Sequence, residues 1–110
     1  MDKNYRKIFR EPENDANGVV IPKDLFYSTL DFLMNISRKR RYALTYVWGC
    51  HEEKYRKLRE LSEREILDQL PKMDDLNYSD IDMVLDFYSS ITIGELQDFS
   101  SRYITNNFEL

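Results

Sequence analysis

One cysteine, one histidine and one tryptophan stand in 110 residues, with three glycines and three prolines. Each scarcity excludes something. A lone thiol, Cys50, cannot close a disulfide within the chain, which suits a reducing compartment. One Cys and one His cannot build a structural zinc site, whose ligands come in closely spaced pairs. Three glycines leave no phosphate-cradling loop of either common kind. Asp74, Asp75, Asp80, Asp82 and Asp86 are calcium-like in composition alone, because the required glycine and terminal Glu spacing is missing. No run approaches the roughly 18–20 apolar residues of a membrane span. The opening MDKNYRKIFREPEND has no apolar core of the kind a signal peptide carries. The expectation is a cytoplasmic protein without cofactor or metal and with neither a membrane nor a small-molecule substrate as partner.

Catalytic signals are equally sparse. Cys50 and His51 are neighbours, but adjacent residues on a helix point about 100° apart and do not face each other. No glycine-rich nucleophile loop surrounds Cys50. The thiol reads as a small, partly buried hydrophobe, and the chain reads as no enzyme.

What is present is an aromatic, charged, mainly α sequence. Eight Tyr and six Phe supply much of the apolar payload. A chain of this length is expected to form one domain. Residues 1–18 read as a polar arm and loop, 19–107 as a single helical domain of about five helices, and 108–110 as a tail. The net charge of −4 conceals an asymmetry: residues 1–60 carry 13 Lys/Arg against 9 Asp/Glu, and residues 61–110 carry 3 against 11. Ser37–Leu61 alone holds eight basic residues with the only Trp, Cys and His.

Along the chain, Tyr5, Ile8 and Phe9 fit one inward helical turn with Lys3, Arg6, Lys7 and Arg10 outward. Glu11–Gly18 ends in Asn-Gly, a turn signal. Val19-Val20-Ile21 is β-branched and reads as a short strand or extended segment, ended by Pro22. Lys23–Ile36 has the broad i, i+3, i+4 stripe of a core helix. From Arg38, Tyr42–Trp48 alternates like a strand, yet Leu44, Val47, Trp48, His51, Tyr55 and Leu58 form one helical stripe, so helix is favoured, with a break near Gly49-Cys50 allowed by the glycine. Ser62–Glu65 and Thr92–Glu95 are capping boxes, opening Glu63–Leu70 and a helix to about Ile104. Lys72–Asn77 reads as a linker. Ser79 caps Asp80–Ser89, whose stripe is Ile81, Val84, Leu85 and Tyr88, widened by Met83 and Phe87.

Across Ile21–Leu33 and Arg40–Gly49, the hydrophobic pattern resembles the opening of winged-helix modules in phage and plasmid replication and transfer proteins. The likeness is one of pattern, without a diagnostic motif. It implies a winged-helix arrangement.

Two functions follow from the charge layout. The first is a non-catalytic, nucleic-acid-associated accessory or regulatory protein. Its DNA-binding or RNA-binding contacts would come from Arg38, Lys39, Arg40 and Arg41 with Lys54, Lys57 and Arg59, through release of phosphate counterions. The second is a protein-binding adaptor or inhibitor. There the acidic C-terminal helices, through Asp82 and Asp86 with aromatic anchors such as Tyr78, Phe87, Tyr103 or Phe108, meet a basic partner. Either is compatible with a homodimer through the apolar excess on Asp80–Ser89. If Asp and Glu of the same subunit neutralised the basic cluster, the grounds for a polyanionic ligand would go.

Overall fold

In the computed structural model, the described residues are 4–10, 21–70 and 78–105. The expected turn at 11–18, Val19-Val20, the 72–77 linker and Phe108 lie outside them. The protein is mainly helical. The α-helices are α1 (Tyr5–Ile8), α2 (Lys23–Asn35), α3 (Arg38–Gly49), α4 (Glu53–Arg56), α5 (Glu63–Gln69), α6 (Asp80–Ser90) and α7 (Ile93–Phe99). A 3₁₀ turn covers Leu58–Glu60, and α7 continues as a π-helical stretch over Ser100–Thr105. Among the described residues there is no strand. Ile21 lies outside regular structure, and the described residues contain nothing that could form the wing of the expected winged-helix arrangement.

The contacts group the chain into two compact units, one of residues up to Asn35 with Thr92 onward, the other Ile36–Ile91. In the first, α2 buries Phe26, Thr29, Leu30, Phe32 and Leu33, the stripe its sequence spacing implies. Phe32 meets Phe99 edge-on at 6.1 Å between ring centroids. The capping box at Thr92 and Glu95 is complete, with the Glu95 amide donating to the Thr92 hydroxyl at 3.2 Å and the Thr92 amide to the Glu95 carboxylate at 3.4 Å. Helix α1 departs from expectation. Tyr5 and Phe9 are buried, but Ile8 is 53% exposed and Arg6 turns inward. Its guanidinium forks onto Asp31, with Nε donating at 2.9 Å, and lies 5.1 Å from the Tyr27 ring. The Tyr5 hydroxyl donates to the same carboxylate at 2.9 Å.

In the second unit, α3 packs along α6 and against α5. The sequence from Arg38 resolves as helix, capped by the Ser37 hydroxyl, which accepts from the Arg40 amide at 3.3 Å. Ala43, Leu44, Val47 and Trp48 are buried. The helix stops at Gly49, and Cys50 is extended (φ −92°, ψ 129°). A Cβ on Gly49 would lie 3.4 Å from the Phe87 Cα, an ordinary van der Waals contact. At Ser62 only half the expected box forms. The hydroxyl accepts from the Glu65 amide, while the Glu65 carboxylate takes its bond from that hydroxyl. Helix α6 buries Met83, Val84 and Phe87 and leaves Leu85 44% exposed, so its buried face is rotated from the expected stripe.

Candidate functional site

The basic cluster was the first candidate, and most of it is engaged within its own unit. Arg40 pairs with Glu63, its Nη2 donating to a carboxylate oxygen at 2.7 Å. Arg41 is buried. Its Nη1 lies 2.6 Å from an Asp80 oxygen and its Nη2 donates to the Ile36 carbonyl at 3.1 Å. Arg38 donates to the Tyr78 carbonyl and lies 3.6 Å from the same Asp80 oxygen.

Arg59 acts as a C-cap. Its Nε donates to the Val47 carbonyl at 3.1 Å and its Nη2 to the Cys50 carbonyl, covering acceptors at the end of α3 that the helix leaves without partners. Lys54 reaches Glu52 at 3.3 Å and lies 4.9 Å from the Tyr55 ring centroid. The hydrogen bond to Glu52 holds its ammonium above the ordinary lysine range. Lys39 and Lys57 are exposed. The four adjacent cations at the start of α3 therefore do not form one open face. Arg41 is inside, and Arg38 and Arg40 answer carboxylates on α6 and α5.

The acidic residues fare differently. Asp80 is taken up by Arg38 and Arg41, whereas Asp82 and Asp86 are exposed and their carboxylates make no ion pair among the described residues. Tyr103, expected as a surface anchor, is buried at 4% exposure against Phe99. Phe87 is 1% exposed and forms part of a floor instead of protruding.

That floor belongs to a groove of about 270 Å³ along α3 and α6. Its walls are mainly tyrosine. Tyr42 and Tyr46, one helical turn apart, stack with planes 9° from parallel and centroids 5.3 Å apart. Tyr78 lies tilted against Tyr42 at 6.1 Å, and Tyr55 meets Tyr46 edge-on at 5.0 Å. The Tyr55 hydroxyl donates to that of Tyr46 at 3.2 Å. The four rings form a continuous ladder in the order 78, 42, 46, 55. Tyr46 and Tyr78 are exposed at 37% and 46%. Thr45, Gly49, half-buried Cys50, Met83, Phe87 and Ser90 complete the lining, with Asp86 its single charged member.

The phenols affect one another. The shared hydrogen bond raises Tyr46 well above the ordinary tyrosine range, because ionising one ring would place negative charge beside the next; partial burial adds to the rise. Burial, with Tyr78 and Tyr55 nearby, raises Tyr42 in the same direction.

Tyr42 and Tyr46 were legible as a same-face pair once the helix was assigned. Nothing in the sequence tied Tyr78 or Tyr55 to them. Among the described residues no three His, Cys, Asp or Glu side chains gather as a metal ion would require. No described helix is long and apolar enough to cross a membrane. No protein-family model matches the chain, and neither a curated protein nor a solved structure does.

Proposed function

We propose that the protein is a non-catalytic docking module that holds a positively charged segment of a partner protein in the tyrosine-lined groove along α3 and α6. One observation carries this reading. Large aromatic rings stay exposed around a groove whose single charged group, Asp86, has no ion pair among the described residues, while the arginines of the basic cluster answer internal acceptors. Tyrosine is the residue type on which interface energy concentrates, because it offers wide apolar contact at little cost in side-chain freedom. Exposed carboxylates at Asp82 and Asp86 would steer a cationic partner and repel a polyanion.

The test is selection of random peptides displayed on phage against the whole protein, with binding of each selected peptide then compared on wild type and Tyr46→Ala. Tyr46 is partly exposed, so its truncation should leave the helical circular dichroism intact. Peptides that bind wild type and lose roughly tenfold or more on the variant, about 1.4 kcal/mol, are the expected result. Peptides indifferent to Tyr46→Ala would remove the groove as the docking site. Retention on a heparin column at about 150 mM salt would instead favour the nucleic-acid reading through Lys39, Lys57 and their neighbours.

A further inference from the structure

Resting on the docking function just proposed, we infer that the groove is built to seat one arginine side chain of the partner, its guanidinium over the tyrosine ladder and forked onto the Asp86 carboxylate.

The volume selects the size of the occupant. At about 270 Å³ the groove has room for one long side chain. The lining selects the chemistry. Aromatic walls and a Met83–Phe87 floor suit an apolar stem, and the Asp86 carboxylate, the groove's one charged group, favours a cation at the stem's end. An acidic or phosphorylated segment would meet Asp86 and Asp82 with like charge.

Arginine fits better than lysine. Its planar guanidinium stacks on aromatic faces and bonds a carboxylate through two parallel donors, and it sheds water more readily than an ammonium. A lysine ammonium would keep only the point charge.

The molecule contains its own worked instance of this recognition. In the first unit, Arg6 forks onto Asp31 with its guanidinium carbon 5.1 Å from the Tyr27 ring centroid. Tyr27 and Asp31 stand four residues apart on α2, so one helix face supplies both ring and carboxylate. The groove offers the same pairing, with tyrosines from α3 and Tyr78 on one side and Asp86 from α6 on the other. The difference is that Asp31 already has its arginine.

The experiment takes a groove-dependent peptide from the phage selection, resynthesised with a fluorophore, and follows its binding by anisotropy. Each basic residue is replaced in turn by lysine and by citrulline, and each peptide is measured on wild type and on Asp86→Asn. The expected result is one arginine whose replacement by citrulline weakens binding to wild type about tenfold, by lysine somewhat less. On Asp86→Asn the arginine peptide falls to the level of its citrulline form, so the two changes are not additive. Selected peptides that need Tyr46 but carry no such arginine, or that bind Asp86→Asn undiminished, would overturn the arginine seat while leaving the docking groove standing. A selection that yields no peptide sensitive to Tyr46→Ala would overturn both.

Discussion

Helix α3 treats its two ends in opposite ways. Its N-terminal turn carries four consecutive cations, an unfavourable load where the helix dipole is already positive. Three of them are answered from within, Arg38 and Arg41 by Asp80 and Arg40 by Glu63. Further along, α3 carries Tyr42 and Tyr46, and there the surface is left open as a groove. The conspicuous charge belongs to the architecture, fastening α3 to α5 and α6. The groove beside it is lined in part by tyrosines, with Asp86 its one charged residue. A dense run of one charge is thus a poor guide to a binding site until the opposite charges nearby have been located.

The largest effect that would break this contrast comes from the buried end. Arg41 is 5% exposed at its side chain and its partner Asp80 is 45% exposed. Asp80→Ala removes the carboxylate facing an almost wholly buried guanidinium, and should cost about 3 kcal/mol, at the low end for breaking a buried pair from one side because Asp80 is itself partly exposed. Arg40→Gln, which breaks the more open pair with Glu63, should cost about 1 kcal/mol or less. Adding Arg41→Leu to Asp80→Ala should restore part of the loss, because no buried charge then remains. Urea denaturation of the four proteins orders them. Equal losses for Asp80→Ala and Arg40→Gln would mean that Arg41 is solvated and the cluster open after all.

A smaller effect sharpens the other end. Gly49 closes α3 within the groove lining, and an added Cβ would meet Phe87 and Ser90 at 3.4 and 3.5 Å, ordinary contact distances. Gly49→Ala should therefore gain about 0.5–1 kcal/mol from helix propensity, read as a rise in melting temperature. A drop in stability would show that the approach of α3 to α6 is tighter than it looks.

The sequence foretold the regular parts well. The N-caps at Ser62, Ser79 and Thr92 each open a helix, because a hydroxyl placed before an amphipathic run has few other uses. The α2 stripe was legible for the same local reason. What failed was whatever depended on residues far apart in the chain. The stripe from Leu44 to Leu58 breaks at Cys50, where the sequence allowed a break, but nothing local announced that Arg59 would cap α3 from nine residues on. Leu85 belongs to a good helical stripe yet is exposed, since the face that α6 buries is chosen by α3. The groove itself needed Tyr78 to return to Tyr42 from 36 residues along the chain, and no periodicity encodes that.

The smallest perturbation at neutral pH should be Tyr46→Phe, which keeps the ring and removes one hydroxyl, and its effect near pH 7 should stay within about 0.5 kcal/mol. Its signature lies at high pH. Tyr5, Tyr42 and Tyr46 all hold their protons more tightly in the folded protein than the ordinary tyrosine value of 10.0, Tyr46 most of all. A group raised in this way gives its full stabilisation below the unfolded value and loses it as pH climbs toward the folded one. Stability should hold to about pH 10 and then fall, as the unfolded chain releases protons that Tyr5, Tyr42 and Tyr46 retain in the native protein. In the native protein Tyr5, Tyr42 and Tyr46 should contribute tyrosinate absorbance in a later step, above the ordinary tyrosine range. Tyr46→Phe should remove amplitude from the later step and make the alkaline loss of stability shallower. If all eight tyrosines titrate together near pH 10 while the helical signal persists, the rings do not hold one another in solution. The open end of α3 would then carry separate tyrosines, with no preformed groove to seat a partner.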